Sequence, residues 1–219
     1  MKLSSLERIY DKLQLVYGDP NLHSIYNGGC DTSPNICFVF MNPTGKNIAS
    51  NPNWKGPHHP WLGTKNIWKL FYSCNLLDER TYEEIQKKKP NEWSIDFSIK
   101  VYDDIKKHKV FITNLGKCTQ IDARPLTDEY LKSYLELLEK EIKIIKPKII
   151  ILFGNQVSSI FLNQNISVSK TRKQYFEKKI GNKKYKSFPV YYPVGNGIFN
   201  IDKAIEDINW IINNYIEGE

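Results

Sequence analysis

The chain predicts an α/β fold, a three-layer αβα sandwich with a central, mainly parallel four-stranded sheet, and three observations carry that prediction. Four apolar runs, at residues 36–41, 110–112, 149–153 and 188–192, are continuous rather than alternating, the mark of strands covered on both faces. Helix-periodic segments lie between the runs, as parallel connections require. No linker-like tract interrupts the 219 residues, so the chain reads as one domain, 1–219.

The elements follow in order. Leu3, Leu6, Ile9, Tyr10, Leu13 and Val16 recur at helical spacing and predict an amphipathic helix over 3–17, ended by Gly18-Asp19-Pro20. After the first strand, residues 42–63 hold Pro43, Pro52, Pro57 and Pro60 with Gly45, Gly56 and Gly63, a long irregular loop of the kind that more often carries function than not. Ile67, Trp68, Leu70, Phe71 and Leu76 mark a helix over 64–77, and a shorter one covers 97–107 before the second strand. The longest helical pattern spans 128–145, with Thr127 as its cap and Pro147 as its stop. A strand at 149–153 turns at Gly154 into a helix over 155–162. Residues 169–186 are strongly basic against the single acid Glu177, with Gly181-Asn182 as a two-residue hairpin turn. The last strand precedes a helix that opens at Asn200-Ile201-Asp202 and runs through Tyr215.

Composition narrows the function classes. Lys plus Arg number 31 against 24 Asp plus Glu, a formal charge of +7 that favours an anionic partner without choosing between DNA, RNA and general solubility. No apolar run approaches the roughly 18–20 residues that span a bilayer, and residues 1–7 lack a signal peptide's apolar stretch, so a cytoplasmic protein is expected. Cys30, Cys37, Cys74 and Cys118 form no C-x-x-C pair and read as free thiols.

Four short pieces sit at or just beyond the apolar runs, where side chains of an open α/β sheet converge on a ligand. They are Met41-Asn42-Pro43, Pro60-Trp61-Leu62-Gly63, Thr113-Asn114 through Lys117-Cys118, and Tyr192-Pro193. Asn42 follows a strand directly, and Pro43 fixes the backbone beyond it; its amide is no general base but can hold a water. Trp61 offers a flat apolar face, and Asn114 an acceptor and a donor side by side. Each has a plainer reading: Asn-Pro is a common turn signal, a tryptophan can lie in the core under a loop, and a strand-end Asn can cap a turn.

Together the pieces resemble the uracil-DNA glycosylase superfamily. Met41-Asn42-Pro43 resembles the G-[IM]-N-P-G motif of the mismatch-specific and single-strand-selective enzymes, with Phe40 and Thr44 in place of the two glycines. Pro60-Trp61-Leu62-Gly63 resembles the R-P-F-V-G segment of the family 4 enzymes, and residues 65–70 are similar to the N-R-F-W-K stretch of the mismatch-specific ones. Phe111 through Cys118 resembles family 4's Y-I-T-N-x-x-K-C, and Arg124-Pro125, the long helix and Lys146-Pro147-Lys148 look like family 4 as well.

The resemblance implies a monofunctional DNA glycosylase that hydrolyses the N-glycosidic bond of an extruded uracil or a related deaminated or modified base. In that reading Asn42 and Tyr192 are catalytic, the first holding water and the second supporting the leaving base, while Met41, Trp61 and Asn114 bind the base. The Asn114 amide would match the N3–H and O4 edge of uracil and mismatch cytosine. Lys170, Arg172 and Lys173 would hold phosphates, and Gly195, Asn196, Gly197 and Ile198 would approach the DNA. Ile198 or Phe199 would be the apolar wedge, although Phe199 equally suits a hydrophobic staple ahead of Asn200. A monomer acting on DNA, away from membranes, is expected.

Two departures qualify the likeness. Cys118 matches one thiolate ligand of family 4's iron–sulfur cluster, yet no cysteine lies near Ser133, so no cluster, metal or other cofactor is expected. Tyr192 stands where superfamily members commonly place His, or Asn in the mismatch-specific enzymes, and lacks an imidazolium's charge; His58 or His59 is the alternative source of that group. A non-catalytic DNA-binding member is therefore a second reading, and a small-nucleotide-binding α/β protein a third.

Overall fold

The computed structural model describes residues 2–124 and 126–218 and shows an α/β fold built on a six-stranded mixed sheet. The strands are β1 (Asn27–Gly29), β2 (Ile36–Phe40), β3 (Val110–Asn114), β4 (Ile149–Phe153), β5 (Phe176–Ile180) and β6 (Lys183–Val190), in the spatial order β1-β3-β2-β4-β6-β5. The inner four run parallel, with Phe40 opposite Asn114, Val39 opposite Leu152 and Phe153 opposite Val190.

The expected count of four strands is thereby corrected to six, because an antiparallel strand closes each edge. β1 consists of Asn-Gly-Gly and carries no apolar signal. β5 alternates half-exposed and exposed residues, as an edge strand with lysines on its open side does, and only its hairpin turn was readable. Gly181 takes the positive φ, 60°, that the first position of such a turn needs.

Helices cover both faces, and strand parity decides which residue meets which layer. Phe38, Phe40, Ile112, Ile151, Phe153, Phe188 and Val190 pack in one cluster with α2 (Asn66–Ser73), α4 (Ile95–Lys107) and α8 (Ile201–Tyr215). Cys37, Val39, Phe111, Ile150 and Leu152 face the opposite way, onto α6 (Leu135–Ile145) and α7 (Asn155–Leu162). Every residue of β2, β3 and β4 is buried, which is why these runs read as continuous. Each fully buried Phe, Ile or Leu contributes about 1.5–3 kcal/mol.

α1 (Ser4–Tyr17) lies on the second layer's flank, where Leu6 and Tyr10 meet Cys118, Tyr134 and Leu137. The helix expected over 128–145 is two: α5 (Asp128–Lys132) and α6, parted at Ser133-Tyr134. Ser133 Oγ bonds back to the Tyr130 carbonyl at 2.6 Å, a local bond that competes with the helical ladder. Thr127 does cap α5, accepting from Tyr130 N–H at 3.4 Å. α3 (Glu79–Lys87) had no sequence signature because only Thr81 and Ile85 of its nine residues are buried. Among the described residues no helix is long and apolar enough to cross a membrane.

Candidate active site

Phe40, the last residue of β2, is the hub of the carboxyl edge of the sheet. It is fully buried, and its ring meets Trp61 edge-on at 4.9 Å, Phe153 in a stack at 4.4 Å and Tyr192 at 6.3 Å between centroids. Asn114 is its partner across the β2–β3 pairing, and Leu115 N–H donates to the Phe40 carbonyl at 2.8 Å. Gly116 N–H donates to the Met41 carbonyl at 2.8 Å, and a Cβ on Gly116 would stand 3.5 Å from Asn42 Cβ. The structure therefore brings Trp61, Asn114 and Tyr192 around Phe40, with Asn42 two residues further along the chain beside Gly116.

Three polar features of this group await a partner. Asn114 is 1% exposed, and its Nδ2 has no hydrogen-bond acceptor. Trp61 Nε1 is likewise buried without one. Buried donors of this kind cost about 1–3 kcal/mol each, so they persist where something else selects them. Trp61 also sits at φ 65°, the left-handed region that a bulky residue rarely adopts, held by a turn in which Thr64 N–H and Oγ both donate to its carbonyl. On the neighbouring loop, Asn42 Nδ2 donates to the Pro43 carbonyl at 2.9 Å, which fixes the amide and leaves Oδ1 as an acceptor.

Burial pushes the Tyr192 phenol well above its ordinary range, so it stays a neutral hydrogen-bond donor at physiological pH. The loop after it is tightly folded: a Cβ on Gly197 would lie 2.1 Å from the Tyr192 carbonyl oxygen, so only glycine allows this approach. Gly195 and Asn196 are exposed, Gly197 and Ile198 half-buried, and Phe199 is 90% exposed. That exposure overturns the hydrophobic-staple reading of Phe199.

Other expected residues are placed differently. The Met41 side chain packs against the cluster under α6 and α7, on the face opposite the Trp61 wall, so it lies away from the group around Phe40 and not against a base held there. Arg172 grips Asp207 through Nε and Nη2 at 2.9–3.1 Å and Glu206 at 2.8 Å, and Lys173 pairs with Glu206 at 2.6 Å. Both cations thus have carboxylate partners on α8, whereas Lys170 is exposed. His58 and His59 are anchored on another part of the loop: their Nδ1 groups donate to the Ser24 and Asn27 carbonyls at 3.0 and 2.5 Å, and their rings pack on Tyr26 and Tyr102 respectively. Burial lowers the His59 pKa to about 4, so it is neutral at pH 7. Pro125 of the Arg124-Pro125 match lies outside the described residues.

Beneath Asn114 is a network that no linear pattern announced. The buried Glu141 carboxylate of α6 accepts from Tyr10 at 2.9 Å, Asn27 at 2.7 Å, Thr113 at 2.8 Å and Lys117 at 2.9 Å, and Lys117 also donates to Thr113. Lys117 and Glu141 are 0% exposed, and burial lowers the Lys117 pKa against the pull of Glu141. Only the Lys in the Thr-Asn-x-x-Lys-Cys stretch hinted at it.

The thiols do not fit an iron–sulfur cluster. Cys37 and Cys74 belong to the clusters on opposite faces of the sheet, and Cys118 to the α1 cluster, so four thiolates do not converge. Burial raises the Cys118 thiol to about 12, which leaves it an inert apolar group.

Comparison with known proteins covers most of these elements. A family model described as the uracil DNA glycosylase superfamily matches residues 28–197, from β1 through the loop after Tyr192. A type-4 uracil-DNA glycosylase of Saccharolobus solfataricus is 30% identical over 109 residues, 47% of this chain and 50% of that protein. A type-4 uracil-DNA glycosylase of Sulfurisphaera tokodaii is 31% identical over 93 residues, 41% and 42% of the two chains. The chain thus spans about half the length, or less, of the curated relatives it matches.

Proposed function

The chain belongs to the uracil DNA glycosylase superfamily, and on that premise we propose that it is a monofunctional DNA glycosylase, a single domain that hydrolyses the N-glycosidic bond of an extruded uracil or related modified base. The observation that carries this reading is the pair of orphaned buried donors, Asn114 Nδ2 and Trp61 Nε1, set beside Phe40 at the sheet's carboxyl edge. An extruded base satisfies the Asn114 donor that the protein leaves unpaired. Nδ2 donates to the base's O4 and Oδ1 accepts its N3–H, an arrangement that cytosine, with donor and acceptor exchanged, does not match. The indole supplies the apolar wall that replaces lost base stacking.

Asn114 is almost wholly enclosed, so a base reaches it only when the Trp61 turn or the Tyr192 loop moves aside. The glycosidic bond then breaks as a cation-like sugar forms. Tyr192 donates a hydrogen bond to the charge building on the base, and water held by Asn42 Oδ1 attacks the sugar carbon, its proton passing to solvent. No amine attacks the sugar, so strand cleavage by a lyase step is not expected. Phe199, exposed beside this loop, suits the wedge better than half-buried Ile198, and Lys170 suits phosphate contact better than the paired Arg172 and Lys173.

One observation favours a second reading. A neutral Tyr192 stabilises an anion less than an imidazolium does, which suits a member that binds modified or abasic DNA without turnover. One assay separates the two: a uracil-containing oligonucleotide incubated with the protein, then cut with alkali at abasic sites. Wild type is expected to yield cleavage and Asn42→Ala to lose roughly 10²-fold in rate. Tight binding to abasic DNA with no base released from any of a panel of lesions supports the binder instead.

A further inference from the structure

Asp78, Asp104 and His108 meet on the outer side of the helical layer, away from the carboxyl edge of the sheet. Asp104 and His108 are four residues apart at the end of α4 and so share one face, while Asp78 is the residue that opens α3. One donor atom from each lies within 4.8 Å of the other two. His108 Nε2 is 2.9 Å from Asp78 Oδ1 and 3.5 Å from Asp104 Oδ1.

Hydrogen bonding accounts for only part of the cluster: His108 Nε2 and Asp78 Oδ1 lie at hydrogen-bond distance, but one carboxylate oxygen is left over. The Asp104 side chain is 7% exposed; its Oδ2 accepts from Asp78 N–H at 3.1 Å, but its Oδ1 has no hydrogen-bond donor and is aimed at His108 and Asp78. A buried carboxylate oxygen without a partner is costly, and a cation is the partner that suits it. Asp78, for its part, makes no cap bond to α3 and turns its carboxylate toward His108. Lys107 sits on Asp78 Oδ2 at 2.6 Å, leaving Oδ1 for the cluster.

We propose that Asp78, Asp104 and His108 bind one divalent cation of the zinc class, which ties the start of α3 to the end of α4. Two carboxylates and an imidazole form the mixed oxygen and nitrogen set that zinc accepts, with a fourth position for water. Bonds of 2.0–2.1 Å to a tetrahedral centre set its ligands about 3.3 Å apart, and the 2.9 and 3.5 Å separations bracket that spacing. The carboxyl end of α4 adds its own attraction for a cation. The site is structural: α4 also carries Tyr102, whose hydroxyl donates to the Pro60 carbonyl at 2.6 Å just before Trp61, so the tie steadies the support of that turn.

The test uses the full chain, stripped with EDTA and titrated with zinc chloride by calorimetry and thermal unfolding. One zinc is expected per chain, with Tm raised by about 5–10 °C once zinc exceeds its Kd a hundredfold. His108→Gln and Asp104→Asn keep hydrogen-bonding groups of similar shape, Asn retaining the acceptor for Asp78 N–H, and each is expected to weaken zinc at least tenfold while leaving the metal-free Tm nearly unchanged. Absence of stoichiometric binding by wild type overturns the proposal. So does unchanged affinity in both variants, which would move the metal elsewhere, for example to the stacked His23 and His58 rings.

Discussion

In the proposed reading, Asn114 sets stability against function within one side chain. Its unpaired Nδ2 costs about 1–3 kcal/mol in the free protein, and that cost is recovered only when a ligand accepts from it. Asn114→Leu, similar in volume and without a polar group, is therefore expected to raise the urea midpoint while abolishing base release; a midpoint that falls instead would show the amide to be satisfied. Asn42, Trp61, Asn114 and Tyr192 were legible in the sequence because each adjoins an apolar run or a Pro-Gly turn, and strand ends are where an α/β sheet gathers its ligands. Phe40 was not, because a phenylalanine in an apolar run reads as core until the chain's crossovers bring Trp61, Phe153 and Tyr192 around it. Arg172 was misleading for a related reason: its acidic partners lie more than thirty residues away, on α8.

The segment from β3 to Cys118 is held as a unit by the Glu141 network. A buried ion pair costs desolvation, and this one is offset by filling both carboxylate oxygens from four donors. Lys117→Met leaves that carboxylate buried and short of its cation, so unfolding by urea is expected to show about 3–5 kcal/mol lost. Lys117→Met with Glu141→Leu should recover only part of it, since the apolar pair carries no ion desolvation cost but removing the carboxylate leaves the Tyr10, Asn27 and Thr113 donors without their acceptor. A single substitution that is neutral would mean that the pair holds nothing in place. Elements whose signal is local were readable: the buried strands, the Thr127 cap, the Gly181-Asn182 turn. β1 depends on pairing with the distant β3, α3 buries too few residues to show a stripe, and the break at Ser133 rests on a local serine bond that leaves the apolar spacing intact, so no periodicity announces them.

At the scale of the molecule, stability should carry the signature of a histidine folded in its neutral form. His59 is half-buried against Tyr102, with rings 4.2 Å apart, and desolvation lowers its pKa from 6.5 to about 4. Above pH 6.5 it is neutral folded or unfolded; as pH falls from 6.5 toward 4 only the unfolded chain gains the proton, so stability is lost across that window. Unfolding free energy measured from pH 7 to 4 is expected to fall less steeply in His59→Gln than in wild type, and parallel curves would remove His59 as the cause. The Trp61 and Asn114 donors are buried more completely, and the proposed function depends on what engages them. The decisive measurement is the ¹⁵N–¹H spectrum of the Asn42→Ala protein, whose turnover should be slowed roughly 10²-fold, titrated with a uracil-containing oligonucleotide. The Trp61 indole and Asn114 side-chain resonances are expected to shift together and not with the uracil-free strand. Binding that leaves both unmoved, or moves them equally for either strand, would contradict a base held between them.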